Sequence, residues 1–218
     1  MTKYKISHLF LIIASVVLAG FGLLWVFHYI IPNPYPSEEY YLLLMMYLIM
    51  LSSTAIIFKT KKLSIAHYMI GFKLTNLRSI SFALMIAFVI WGIDYVYQII
   101  VLDIDIKIEA TSWYKNQTNI WAVFFSTVIF TPIIEEMLFR GIILQTLNQY
   151  LSKVWSAIIL STVFALTHFD GLQIPSLFLA SMIYVWLTFK FNSIIPAIIA
   201  HIINNGLTFF YYMTIIGI

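Results

Sequence analysis

The chain has 218 residues, of which 62% are hydrophobic and 10% are charged, and this composition excludes an ordinary soluble domain. The net charge of +3 comes without a basic patch or recognition motif, so we expect no nucleic-acid partner. Because there is no cysteine, thiol chemistry is excluded, and any catalysis must use histidines, carboxylates or hydroxyls. The sequence predicts an all-α, polytopic helical protein in a lipid bilayer.

The N-terminal half predicts three transmembrane helices and one surface helix. An apolar run over residues 8–31 is too long for a signal-peptide core and lacks a small-residue cleavage site, so we interpret it as a retained first span. The second and third spans are predicted at residues 40–58 and 80–102. Residues 63–74 are too short and mixed to cross a membrane, and they suit an interfacial helix on the inner leaflet.

The C-terminal half predicts four further spans, which brings the total to about seven. They cover residues 120–147, 154–169, 175–190 and 194–216. A short helix or a re-entrant segment between residues 170 and 191 would change that count. We predict one integral domain, in which residues 1–118 form N-terminal helices and residues 119–218 form a candidate catalytic core.

The distribution of basic residues predicts the orientation of the chain. Of the twelve Lys and Arg residues, nine fall on proposed inner segments and two on outer ones, while Arg140 lies within a span. Since Lys and Arg concentrate in cytoplasmic loops, we expect a cytoplasmic N-terminus. The sequence assigns neither an oligomeric state nor the side to which a site would open.

The fourth predicted span carries two adjacent carboxylates and an arginine. Each such charge near the bilayer centre costs about 2.5–3.5 kcal/mol on the insertion scale, so these side chains need partners. Glu136 and Arg140 are four residues apart and share a helix face, whereas Glu135 is rotated by about 100°. We therefore predict an ion pair between Glu136 and Arg140, with Glu135 directed elsewhere. The alternative is that all three only hold helices together.

Two other predicted spans carry histidines at compatible depths. Phe164 and His168 are four residues apart, as are His201 and Asn205, so each pair projects from one helix face. At about 1.5 Å per residue, His168 and His201 can meet Glu135 near the membrane midplane. For any one histidine, a helix–helix hydrogen bond explains the residue equally well. Polar groups from three helices at one depth favour a functional site.

These residue types suit peptide hydrolysis. Glu135 would take a proton from a water molecule that His168 also holds. The water would attack a carbonyl, whose developing negative charge His201 and Asn205 would stabilise.

The three paired motifs resemble those of the CPBP family, which comprises CAAX proteases and bacteriocin-processing (Abi) intramembrane proteases. The resemblance covers roughly residues 120–210, with the motifs in the same order. It implies transmembrane helices that enclose the site, with catalytic roles for Glu135, His168, His201 and Asn205. It also implies that Glu136 and Arg140 support them.

The resemblance leaves the cofactor open. Family members are often labelled metalloproteases, while a metal-free mechanism with glutamate and histidine is also proposed. Glu135, His168 and His201 offer two histidines and one carboxylate for a divalent metal such as Zn²⁺, but nothing in the sequence resembles a His-Glu-x-x-His helix.

We expect an intramembrane endopeptidase in a bacterial cell membrane, acting on a small membrane-associated peptide or protein such as a pheromone or bacteriocin precursor. The alternative is a non-catalytic scaffold or bacteriocin-immunity protein that retains the protease fold. A third interpretation is a transporter with a proton relay through Asp94, Glu135 and the histidines, which predicts paired broken helices and internal symmetry that the sequence lacks. Asp94 is itself a functional candidate, because an isolated acid within a span often has a functional role. The alternative is that it makes a polar contact with Trp91, Tyr95 or a neighbouring helix.

Overall fold

The computed structural model describes residues 76–103, 105, 107–108, 119–168 and 171–217, together with five isolated positions (Ser7, Leu11, Ser52, Ala55 and Lys59). The first two predicted spans and the predicted interfacial helix lie outside the described residues. Within the described part, every regular element is a helix. The predicted all-α class is therefore confirmed for that part of the chain.

Five helices make up the described part. In chain order they are α1 (Leu77–Val101), α2 (Ile120–Leu147), α3 (Lys153–Leu166), α4 (Ile174–Phe191) and α5 (Ile195–Ile216). Each lies within a few residues of a span predicted from the sequence.

Three of these helices, α1, α2 and α4, are long and apolar enough to cross a membrane, with 25, 28 and 18 residues. Helix α3 has only 14 residues. Helix α5 has 22 residues but carries His201, Asn204 and Asn205, which lower its mean hydropathy. The described residues thus contain three candidate spans among five helices, and the predicted total of seven is not confirmed.

The helix ends follow local sequence signals. The first-turn N–H groups of three helices donate to the side chains of Asn76, Asn119 and Ser152. Pro175 and Pro196 lie in the first turns of α4 and α5, where a missing N–H costs little. Helices α4 and α5 end at Asn192 and Gly217, both in the left-handed conformation.

Helix α2 alternates between α-helical and π-helical turns. Its π turns cover Phe124–Phe130 and Met137–Ile143, and the segment between them, which carries the two carboxylates, is α-helical. Pro132 accounts for the first π segment, because proline has no N–H to donate and its ring clashes with the carbonyl four residues earlier. In the widened turn the N–H of Thr131 donates to the Ser126 carbonyl, five residues back, and this relieves the clash.

Small residues bring α1 and α5 close together. Ala83 and Ala87 of α1 and Ala197 and Ala200 of α5 are fully buried in one apolar cluster, which also includes Tyr184 of α4. In a bilayer, where lipid tails are as apolar as leucine, such close backbone approach is a main source of helix association.

A second cluster joins α2, α3 and α4. Its buried members include Leu138, Leu144, Leu160, Phe164 and Val185. The polar residues of α2 lie among these apolar side chains, so they must pair with one another or with polar groups of the neighbouring helices.

Ala87→Leu tests the close contact of α1 with α5. The larger side chain has no room, and we expect a loss of about 1–3 kcal/mol in the free energy of unfolding, measured by denaturant titration in detergent. Phe88→Leu is the control, since the neighbouring side chain is 57% exposed and its change should cost less than about 0.5 kcal/mol. Equal losses in the two variants would contradict the packing described.

Candidate active site

Helix α2 places Glu136 and Arg140 in the interior, each with a fully buried side chain. Nη1 of Arg140 donates to Oε1 of Glu136 at 3.0 Å. The ion pair predicted from the four-residue spacing is therefore present. Because a lone charge in this environment would be strongly destabilising, the pair depends on its further hydrogen bonds for its stability.

Arg140 receives its further partners from α4 and α3. Nη2 donates to the Ser181 hydroxyl at 2.7 Å and to the Ser181 carbonyl at 3.1 Å. The guanidinium also lies 4.7 Å from the ring centroid of Phe164 and 5.4 Å from that of Tyr184. A planar guanidinium suits such a setting, since it donates from its edge and contacts aromatic rings with its face.

The same carboxylate holds His201 of α5. Nδ1 of His201 lies 3.0 Å from Oε1 of Glu136, the oxygen that also accepts from Arg140. An ionised carboxylate only accepts hydrogen bonds, so the network assigns a proton to Nδ1. Nε2 then faces Glu135, whose Oε2 lies 3.9 Å away. Glu135 is thus directed away from Arg140, as the sequence predicts.

His168 lies just beyond the end of α3 and is exposed, whereas the sequence places it within a span that continues to residue 169. The helix ends early because the Phe164 carbonyl is taken by two side chains, the Thr167 hydroxyl at 2.7 Å and Nδ1 of His168 at 2.8 Å. With Nδ1 so engaged, Nε2 of His168 is the nitrogen left to face a substrate or water.

Phe164 connects the two histidines. Its ring centroid lies 4.8 Å from that of His168 and 6.2 Å from that of His201. The side chain is 1% exposed, so its position is fixed by packing. Both histidine rings therefore contact the same buried phenylalanine.

Asn205 follows His201 by one turn of α5 and reaches back to α2. Its Nδ2 donates to the Thr127 carbonyl at 3.0 Å. In the π register a carbonyl accepts from the N–H five residues later. For Thr127 that residue is Pro132, which has no N–H, so the Thr127 carbonyl needs a side-chain donor. Pro132 thus creates the acceptor that anchors Asn205, and the second N–H of the amide remains for a ligand.

Within the described residues, no group of three histidine or acidic side chains lies close enough to hold a metal ion. The site that the sequence offers for Zn²⁺, made of Glu135, His168 and His201, is therefore not formed in this structure.

Sequence reasoning missed three residues of this cluster, which are Thr127, Ser181 and Tyr184. Ser181 and Tyr184 are three residues apart, and with Thr188 they form a polar stripe on one face of α4. This spacing, visible in the sequence, could have indicated that one face of α4 meets a polar site. The acceptor at Thr127 was signalled only by Pro132, five residues later.

Asp94 belongs to a second polar network. Its Oδ2 accepts from the side-chain amide of Gln98 at 2.8 Å, and the Ser176 hydroxyl of α4 also lies within hydrogen-bonding reach. The Gln98 carbonyl oxygen accepts from Tyr212 of α5 at 3.3 Å. Through Ser176, Asp94 therefore makes the predicted polar contact with a neighbouring helix, and Gln98 extends the network to α5.

Residues 117–207 match the family model described as type II CAAX prenyl endopeptidase, Rce1-like. The matched stretch contains all three motifs, and the resemblance to CAAX proteases inferred from them is confirmed over this part of the chain. No curated protein and no solved structure matches the chain significantly.

Arg140→Met tests the buried ion pair. The substitution leaves the Glu136 carboxylate buried without its counter-ion, and we expect a loss of about 3–5 kcal/mol in the free energy of unfolding in detergent. Glu136→Gln combined with Arg140→Met removes both charges and should recover much of that loss. Lys153→Met, at an exposed cation, is the control. A double variant as unstable as Arg140→Met alone would contradict this account.

Asn205→Ala tests the anchor on α2. It leaves the Thr127 carbonyl without its amide donor, and we expect a loss of about 1–3 kcal/mol in unfolding free energy. Adding Pro132→Ala restores a backbone N–H at residue 132, so the double variant should lose less than the sum of the two single changes.

Asn204→Ala is the matched control for the Asn205 variant. The buried side-chain oxygen of Asn204 has no hydrogen-bond partner among the described residues, so its removal should cost little. Strict additivity between the changes at residues 132 and 205 would show that proline does not create the acceptor.

Proposed function

We propose that this chain, a multi-pass membrane protein of the Rce1-like CAAX protease family, is an intramembrane endopeptidase that uses water activated by Glu135 and His168. The observation that carries the proposal is a buried series of contacts from Arg140 through Glu136 to His201, which faces Glu135. Helix packing alone would explain the ion pair between Glu136 and Arg140. It would not explain a second carboxylate, that of Glu135, facing Nε2 of His201.

Glu135 is the proposed general base. Glu135 is 8% exposed, so its carboxylate has limited hydration, and His168 near it is exposed. Glu135 accepts a proton from water as the water oxygen bonds to the substrate carbonyl carbon, while Nε2 of His168 orients that water. The carbonyl electron pair moves to the oxygen, which becomes the oxyanion.

Asn205 and His201 are the proposed oxyanion donors. Asn205 offers the amide hydrogen that the Thr127 carbonyl does not use. His201 donates only when Nε2 is protonated, since its Nδ1 hydrogen is directed at Glu136. The proton taken from water can be shared across the contact between Glu135 and His201, and it passes to the amine nitrogen as the carbon–nitrogen bond breaks.

Glu136 and Arg140 are the proposed supporting residues. They lie behind His201 and are fully buried, so they do not touch a substrate. Their function is to fix the tautomer and the position of the imidazole before the reaction begins, which lowers the reorganisation needed in the transition state.

The proposed substrate is a small peptide or protein segment held at the membrane. Two of the helices that form the site, α2 and α4, are apolar enough to cross a bilayer, so a substrate that partitions into lipid reaches it without crossing a large soluble surface. Pheromone or bacteriocin precursors and prenylated C-terminal segments share this property. The alternative, a scaffold or immunity protein that retains the fold, is an outcome of the test below.

Cleavage of a panel of lipid-reconstituted peptides tests the proposal. We expect Glu135→Gln and His168→Ala each to lower kcat by about 100-fold or more, the usual contribution of a positioned acid or base. Asp94→Asn is the matched control, because it neutralises a carboxylate in the second network and should change kcat by less than about 3-fold. A chelator added to wild type tests for a metal requirement.

Wild-type rates retained in both Glu135→Gln and His168→Ala would show that hydrolysis does not occur at this site. If folded wild type cleaves no prenylated, pheromone-like or bacteriocin-like peptide, the scaffold alternative replaces the protease.

A further inference from the structure

Tyr184 lies on α4, outside the three motifs, and touches the site from a buried position. Its residue is 1% exposed, and its ring stacks on the imidazole of His201 with a centroid separation of 4.8 Å and an interplanar angle of 21°. The same ring lies 5.4 Å from the Arg140 guanidinium carbon. Tyr184 thus contacts both partners of the Glu136 carboxylate.

The imidazole of His201 needs such a contact. Among the described residues, the one hydrogen-bond partner of its Nδ1 is Glu136, and a single bond allows the ring to rotate about it. Swinging would move Nε2 away from Glu135, from which it is already separated by 3.9 Å. The flat face of Tyr184 fixes the plane of the imidazole, and Phe164 limits it on another side at 6.2 Å.

The Tyr184 ring is held by packing. Its hydroxyl is buried without a hydrogen-bond partner among the described residues, so the ring is not anchored there by that group. Ala83, Ala87, Ala197 and Ala200 of α1 and α5 share its apolar cluster. The position of the ring face is therefore set by the helix packing itself.

We propose that Tyr184 is a positioning residue for the hydrolysis: its ring face holds His201 so that Nε2 is directed at Glu135. This inference rests on the function proposed above. Because Tyr184 is buried, it acts on the rate of the chemical step and does not contact the substrate. The ring is the active feature, since the hydroxyl makes no hydrogen bond within the described part of the chain.

Three variants test this assignment in the reconstituted peptidase. Tyr184→Leu removes the ring and should lower kcat by about 10-fold to 100-fold, because a misplaced catalytic group commonly costs that much, while KM changes by less than about 3-fold. Tyr184→Phe keeps the ring and should retain kcat within about 3-fold. Tyr212→Leu is the matched control, since it removes another buried tyrosine of the bundle, whose hydroxyl bonds Gln98 in the second network.

Nitrogen NMR of protein labelled at histidine gives a readout that needs no substrate. The signals of His201 are identified by their loss in His201→Gln. Wild type and Tyr184→Phe should show a protonated Nδ1 and an unprotonated Nε2, whereas Tyr184→Leu should show exchange between the two tautomers. If Tyr184→Leu does not fold, Tyr184→Met replaces it, because methionine fills the space without a ring face.

A Tyr184→Leu variant with wild-type kcat and an unchanged His201 spectrum would overturn the inference. So would a Tyr184→Phe variant as slow as Tyr184→Leu, since the hydroxyl would then be the active feature. If wild type cleaves no peptide, the spectra still decide the role of Tyr184, and the failure is that of the proposed function alone.

Discussion

The Glu136 carboxylate is the interaction on which the site depends. One of its oxygens accepts from Arg140 on its own helix and from His201 on α5. Arg140 in turn donates to Ser181 on α4. Three helices are therefore joined through one buried acid, and in an apolar interior each of these groups would be costly alone. Stability and the geometry of the candidate site arise from the same contacts.

Irregular turns of α2 carry the second link between helices. Pro132 forbids regular hydrogen bonding, the helix widens, and the Thr127 carbonyl becomes free to accept from Asn205. In the interior of a membrane protein such a carbonyl must find a donor. The local departure from α-helical geometry thus places an amide beside His201, on the next turn of α5.

Aromatic rings complete the arrangement. Phe164 touches Arg140 and both histidines, while Tyr184 touches Arg140 and stacks on His201. Rings bring large contact areas with little rotational freedom, so they suit the task of holding an imidazole in one plane. The polar groups supply charge and hydrogen bonds, and the rings restrict the orientation of the Arg140 guanidinium and the two imidazoles.

The sequence by itself determined the helical class, the extents of most described helices, and the pairing of Glu136 with Arg140, because composition, periodicity and a four-residue spacing act locally. It also gave the three motifs that carry the resemblance to CAAX proteases, and all three lie within the stretch that matches the family model. Only the tertiary structure decided that Glu136 also binds His201, that Ser181 and Tyr184 of α4 complete the cluster, and that His168 lies in a turn. The first two depend on which side chains meet across helices. The position of His168 depends on competition for the Phe164 carbonyl. The spacing of residues along one helix determines neither outcome.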